Sequence, residues 1–230
     1  MTYTGSSMTG DISRLDFEIQ EASAISPLHR ALLLGLFRAN YRDANPDFID
    51  KSLSVLGRVA FAYDEGEAIG FAMGDSRRMD LPHLPDQLVN LAGLCCIDPA
   101  FRRLGLFGEL TKLTMTWDPL SEPTRRLFCG RMAHPAALRN ITRMAKTVPS
   151  PGVLPTPWQQ EVGTVIADAY GVSDFDPETF VCVGGGRPIG YPRIEFEVEP
   201  WEWDAFRSVD RDRGDALLAI AWLPEAPPGW

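Results

Sequence analysis

Between Leu88 and Ile97 the chain reads Leu-Val-Asn-Leu-Ala-Gly-Leu-Cys-Cys-Ile, an apolar run interrupted by Asn90 and Gly93 and halted at once by Asp98-Pro99. A strand apolar on both faces is stable only inside a sheet whose two sides are covered. Pro removes the backbone donor that the next ladder position would need, so the strand ends there. Leucines then return at helical spacing, at Leu106, Leu110 and Leu113. This strand, turn and helix require a layered α/β fold with helices against a sheet.

The remaining segments fill in that architecture. Leu15, Phe17 and Ile19 alternate with Asp16, Glu18 and Gln20, which predicts a half-buried strand. Ser26-Pro27 offers a cap and a first helical residue for a helix over Leu28 to Ala39, and a second helix is expected from Pro46 to Leu56. Val59 to Tyr63 and Ala68 to Met73 flank Asp64-Glu65-Gly66-Glu67, a hairpin signature. Charge and Pro make Asp75 to Gln87 read as a loop. Arg126 to Met132 is expected as a strand and Pro135 to about Lys146 as a helix.

Thr147 to Pro157 is Pro-rich and reads as a fixed loop or linker. A helix from Trp158 to Tyr170 should stop at Gly171. Strands follow at Thr179 to Val183, Arg193 to Val198 and Ala216 to Leu223, with a Gly184-Gly185-Gly186 turn and a short helix over Trp201 to Val209 between them. The expected organisation is a disordered start over residues 1–12, a core over 13–146, and a C-terminal elaboration over 147–230 that completes the sheet and shapes the acceptor site. The fold expected is a central mixed, mostly antiparallel twisted sheet flanked by helices.

Lys and Arg total 22 against 31 Asp and Glu, a formal charge of −9. Such a field repels nucleic acid and anionic membranes and draws in cationic amines, so any phosphate must be held by local donors. Cys95, Cys96, Cys129 and Cys182 lack a secreted-scaffold spacing and read as reduced thiols. The polar start has no signal-peptide pattern and no run reaches membrane-spanning length, so a cytoplasmic protein is expected, with a homodimer left open.

Ile97-Asp98-Pro99 followed by Arg102-Arg103-Leu104-Gly105 resembles the GNAT superfamily of acyl-coenzyme A N-acyltransferases, in which an apolar-x-Pro step precedes Arg or Gln and then x-x-Gly-x-Gly/Ala opens a helix. The likeness extends over roughly Leu15 to Lys146. It departs at Phe107, where the family has Gly or Ala, with the next glycine one place later at Gly108. The pattern has a physical basis, since an opening helix points several unpartnered N–H groups one way and makes a socket for a diphosphate. The resemblance implies acetyl-CoA or another acyl-CoA as co-substrate. Pantetheine would meet the backbone of Cys96 and Ile97, and pyrophosphate would meet the amides of Arg102, Arg103, Leu104, Gly105, Leu106, Phe107 and Gly108. No metal is expected. A Rossmann site is excluded by the lack of Gly-x-Gly-x-x-Gly after an early strand.

The activity implied is transfer of an acyl group, most simply acetyl, to a small-molecule amine by direct attack. The family's usual base, a Glu on the strand before the turn, falls at about Leu91, and its usual Tyr acid falls at Ile141. Catalytic candidates are therefore His134, His83, Asp80 and Tyr170, with Asp86 and Tyr191 behind them. Buried strand cysteines make a covalent thiolate route at Cys95 or Cys96 a poor fit. A silent coenzyme A binder or acyl-CoA sensor, and other acyl-CoA chemistry such as O-acyl transfer or decarboxylation, are the competing readings.

Overall fold

The computed structural model describes residues 12–115, 125–142, 146–193 and 197–230. The start expected to be disordered therefore lies, but for Ile12, outside the described residues. In chain order the elements are β1 (Asp16–Glu21), α1 (Pro27–Asn40), β2 (Tyr41–Arg42), α2 (Asp47–Val55), β3 (Arg58–Asp64), β4 (Glu67–Leu81), β5 (Leu84–Ile97), α3 (Leu106–Leu113), β6 (Arg126–Met132), α4 (Pro135–Thr142), α5 (Pro157–Ala169), β7 (Phe175–Asp176), β8 (Val181–Cys182), β9 (Tyr191–Pro192) and β10 (Ala216–Leu223). Short 3₁₀ turns occupy Ala22–Ala24, Pro99–Phe101 and Pro200–Phe206.

Eight strands form one sheet in the order β1-β3-β4-β5-β6-β10-β8-β7, and β2 pairs with β9 apart from it. β5 and β6 run parallel, and the other pairs are antiparallel. The mixed, mostly antiparallel sheet with flanking helices is the architecture expected from the sequence.

Cβ direction separates the two faces. A Cβ on Gly74 would meet Thr114 and one on Gly70 would meet Leu110, so the even positions of β4 look toward α3. Gly74 pairs with Ala92 and Ala92 with Gly130, so Gly130 shares that face, and its Cβ position lies 3.2 Å from Ile141 of α4. Helices α3 and α4 thus cover one face. On the other, Arg77 donates to the carbonyls of Val55 at the end of α2 and Ala169 at the end of α5. α1 adds Leu33, Leu36 and Phe37, and α5 adds Val162 and Ile166, to the large core, which also takes in Leu138 and Ile141 of α4. A smaller cluster of Ala60, Ala62, Ala72, Leu106 and Leu110 lies under α3.

Local chemistry explains the well-defined helices. Ser26 accepts from the His29 N–H at 3.2 Å with Pro27 first in α1. Thr156 and Gln159 close a capping box on α5, and Gly171 ends it with φ 64°.

The segment Asp75 to Gln87 is not a loop. β4 and β5 continue through it as one long hairpin, closed by Pro82-His83 with His83 at φ 64°, the left-handed second position of a type II turn. Its charges are paired across or along the strands: Arg78 with Asp86 at 2.9 Å and Arg77 with Asp75 at 2.6 Å. Corrections also fall in the C-terminal part. The strand expected over Thr179–Val183 shrinks to β8. The one expected over Arg193–Val198 is absent at Arg193 and at residues 197–198, while 194–196 lie outside the described residues. The helix expected over Trp201–Val209 is the 3₁₀ turn at Pro200–Phe206. α4 is described over Pro135–Thr142, and residues 143–145 of the helix expected to about Lys146 lie outside the described residues.

Candidate functional site

The sheet opens at its centre. β5 and β6 are paired from Leu88↔Arg126 to Ala92↔Gly130 and no further. Opposite β4, Ala72 pairs with Cys95 and Gly74 with Ala92, so β5 carries one extra residue at Gly93-Leu94. Such a bulge bends its strand. Gly93 is required there, because a Cβ would lie 3.0 Å from the Met73 carbonyl oxygen and 2.3 Å from Leu56 Cδ1. Beyond it, β5 follows β4 to Ile97 while β6 follows β10, with Arg131 beside Leu218 and Met132 beside Leu217. A V-shaped gap separates the two arms.

Asp98 N–H donates to the Ile69 carbonyl at 2.7 Å. Antiparallel alternation then turns the Cys96 backbone toward β4 and leaves the N–H and C=O groups of Cys95 and Ile97 facing the gap. Of the two positions expected to face pantetheine, Ile97 keeps that geometry and Cys95 replaces Cys96. Burial raises the Cys95 thiol to about 12 and those of Cys96 and Cys129 well above the ordinary value, so none is a ready thiolate.

Tyr170 stands at the apex of the V. Its hydroxyl lies 2.8 Å from the Ala92 carbonyl oxygen and 2.9 Å from that of Cys129, one acceptor from each arm, at the last pair and one place before it. Burial pushes the phenol far above its usual range, and its single proton is shared between two carbonyls, so the side chain pins the strands where they part. Tyr170→Phe is expected to cost about 1–3 kcal/mol by leaving buried acceptors unpaired, read as a lower urea midpoint at unchanged slope.

The turn after β5 carries the second half of the site. Asp98 caps Pro99–Phe101 by accepting from the Ala100 N–H, and Arg103 and Gly105 take left-handed φ of 69° and 88°. Gly105 is the N-cap of α3 and offers no side chain to its first N–H groups; the Gly108 and Glu109 amides reach the Gly105 carbonyl. Gly105, Phe107 and Gly108 are exposed, and Leu106 points into the core under α3. An open helix start with a bare glycine cap can hold an anion. Leu104 is half-buried and Arg103 exposed. Arg102 is occupied otherwise: it donates to Asn40 Oδ1 at 2.9 Å, the Arg193 carbonyl at 3.1 Å and, more weakly, the Ile97 carbonyl at 3.4 Å. It ties the end of β5 to the end of α1.

The four catalytic candidates do not converge. β5 has 14 residues, and at about 3.3 Å each its ends lie roughly 40 Å apart. His83 and Asp80 sit at the hairpin end, with His83 exposed near Glu161 and Asp80 accepting from the Asp86 N–H. That is beyond the span of a pantetheine arm reaching from α3. A cavity of about 330 Å³ lined by His83, Leu84, Arg125, Trp158, Pro227 and Pro228 is at the same remote end. His134 follows β6 and is nearer the gap. Its Nδ1 accepts from the Ala136 N–H at 3.2 Å, capping α4, and burial together with Arg211 and Arg139 lowers its pKa. Both the lowered pKa and the bond accepted at Nδ1 favour the neutral ring, with Nε2 carrying the proton. Leu91 and Ile141 are both buried and apolar, so the positions of the family's base and acid carry no titratable group.

Around the gap, Tyr191 and His134 are candidates from the sequence, while Arg211 and Tyr41 are not. Arg211 lies 5.6 Å from the Trp203 ring and 5.9 Å from the Tyr191 ring;. Trp203 meets His134 edge-on at 5.2 Å, and Tyr41, at the end of α1, feels Cys96, Cys95 and Arg211. These residues are half-buried. No local signal marks Arg211 or Tyr41, since they come from separate parts of the chain. Among the described residues no group of three or more His, Cys, Asp or Glu is placed to hold a metal, and no helix is long and apolar enough to cross a membrane.

No protein-family model and no curated protein matches the chain. Solved structures are similar over part of it. A GNAT family N-acetyltransferase from Escherichia coli in complex with CoA matches with TM-score 0.39 and 18% identity over 55% of this chain and 67% of that one. For an acetyltransferase of the GNAT family from Desulfovibrio desulfuricans the values are 0.40 and 12% over 61% and 87%. An aminoglycoside N-acetyltransferase in complex with CoA gives 0.33 and 17% over 46% and 79%. At these scores the likeness is one of partial topology, and the chemistry must be read from this chain's own residues.

Proposed function

We propose that the protein is an acyl-CoA-dependent N-acyltransferase of the GNAT type, acting on a small-molecule amine by direct attack. One observation carries the reading: the strand that leaves its parallel neighbour at Ala92 runs, within one turn, into a helix start capped by a bare glycine. The gap-facing amides of Cys95 and Ile97 offer an extended pantetheine arm the pairing that a strand would receive, and the α3 start offers donors to a pyrophosphate. The residues thus bind and align. The amine must reach the thioester unprotonated, and with Leu91 and Ile141 apolar its proton passes to water or substrate groups.

Coenzyme A at a hundredfold excess over its dissociation constant should add about 2.7 kcal/mol of stability, a thermal shift of roughly 5–11 °C for a chain of this size. No shift with CoA or acetyl-CoA at saturation would overturn the reading. The two apolar positions specifically favour the silent-binder alternative. Thiol release in proportion to added amine decides between them, because only a transferase frees coenzyme A.

A further inference from the structure

Resting on the acyl-transfer reading, we infer that Arg131 binds a substrate carboxylate at the deep end of the gap, and that the preferred acceptor is an α-amino acid or a similar amine bearing a carboxylate. The whole chain carries a charge of −9 and would by itself favour cationic acceptors. Around the gap, among the described residues, the charges without an opposite partner include arginines.

Arg131 is the first β6 residue past the last β5 pair, Ala92↔Gly130. Gly130 faces α3 and α4, so Arg131 projects to the α5 face, where its guanidinium lies 5.5 Å from the Tyr170 ring. The hydroxyl of that same ring marks the apex of the V. Arg131 is half-buried, and among the described residues no carboxylate lies within 4.0 Å of it. Three acids in this part of the fold are already engaged. Asp215 holds Arg213 at 2.6 Å, Glu202 holds Arg139, and Asp212 accepts from the Tyr191 hydroxyl at 2.5 Å. Among the described residues Arg211 and Arg102 likewise have no acid partner, and Arg102 spends its donors on neutral oxygens. A pyrophosphate at α3 lies at the open end of β5, toward Arg102, whereas Arg131 is at the closed end.

A half-buried guanidinium against an aromatic face, with its fork of donors uncommitted to any acid, matches a carboxylate in shape and charge. An amine placed there as a free polycation would be repelled. In the transfer the amine nitrogen bonds to the thioester carbonyl carbon, the carbon–sulfur bond breaks, and the proton lost by nitrogen balances the thiol released. The carboxylate is unchanged throughout.

The test uses the full chain after its CoA thermal shift has been established, so that failure of coenzyme binding is separated from failure of this inference. Thiol release and equilibrium binding to the CoA complex are measured for phenylalanine and glutamate against phenethylamine and γ-aminobutyrate's decarboxylated analogue propylamine, with spermidine as a polycation. The amino acids should exceed the carboxylate-free amines by about tenfold or more, the worth of one charge-assisted pair. Arg131→Gln should erase that preference while the CoA shift remains, and Arg131→Lys should keep part of it. Succinyl-CoA against acetyl-CoA forms the second arm: a preference for succinyl-CoA that Arg131→Gln removes would assign the carboxylate to the acyl group and overturn the acceptor assignment. Equal use of amines with and without a carboxylate, preference for spermidine, no binding of any probe to the CoA complex, or a preference untouched by Arg131→Gln would overturn the inference.

Discussion

Gly108→Glu is expected to raise the melting temperature of the free protein and abolish the shift caused by coenzyme A. Gly108 lies in the first turns of α3, exposed, with no atom within 4 Å of where its Cβ would be and without a positive φ. Replacing glycine inside a helix gains about 0.5–1 kcal/mol, and a carboxylate near a helix N-terminus adds about 0.3–1 kcal/mol. Together these correspond to a rise of a few degrees, at about 2–4 °C per kcal/mol. The same carboxylate meets a pyrophosphate with like charge at the socket, so affinity should fall about a hundredfold or more, removing at least about 2.3 of the roughly 2.7 kcal/mol of ligand stabilisation. Gly105→Glu is a poorer probe. At φ 88° any side chain is strained, at about 1–2 kcal/mol, which would confuse folding with binding. If the Gly108 variant shifts with coenzyme A as the parent does, the pyrophosphate is not at this turn.

The second large effect lies in the core. Trp222 is fully buried on β10, beside Leu127 of β6, with Arg125 5.3 Å above its ring and Trp230 edge-on at 5.6 Å. Trp222→Ala should cost about 3–5 kcal/mol, a large part of the roughly 5–15 kcal/mol that a domain possesses. Trp222→Phe should cost under about 1.5 kcal/mol, because among the described residues the buried indole Nε1 has no partner, and its loss removes an unpaired donor as well as volume. The Ala variant should unfold in one transition by tryptophan fluorescence and circular dichroism alike. Two separate transitions would mean that residues 147–230 form an independent unit, against the single large core to which β6, β10 and α5 all contribute.

Where partners are near in sequence, the chain could be read directly. Ser26-Pro27 starts α1 through a cap three residues away, and Ala216 to Leu223 is a strand by its apolar run, whereas the Thr156-Pro157 cap of α5 lies in a stretch that reads as loop. The hairpin over Asp75 to Gln87 was not legible. Its charges look like loop chemistry until cross-strand partners and the ends of α2 and α5 neutralise them, and those are distant in sequence. The same holds for site residues. Gly105 and the α3 start follow from local pattern, but Arg102 points to oxygens contributed by α1 and by Arg193, and His134 is spent as a helix cap.

The sequence alone determined the central strand, its stop at Pro99 and the glycine-capped helix start, because backbone hydrogen-bonding capacity and proline geometry are local properties. Tertiary structure decided where that strand leaves its neighbour and what meets there. The bulge at Gly93 is set by contact with Met73 and Leu56, the apex by a tyrosine 78 residues from one of its acceptors, and the sign of charge by which arginines find acids. Those depend on distances through space, which spacing along the chain does not encode.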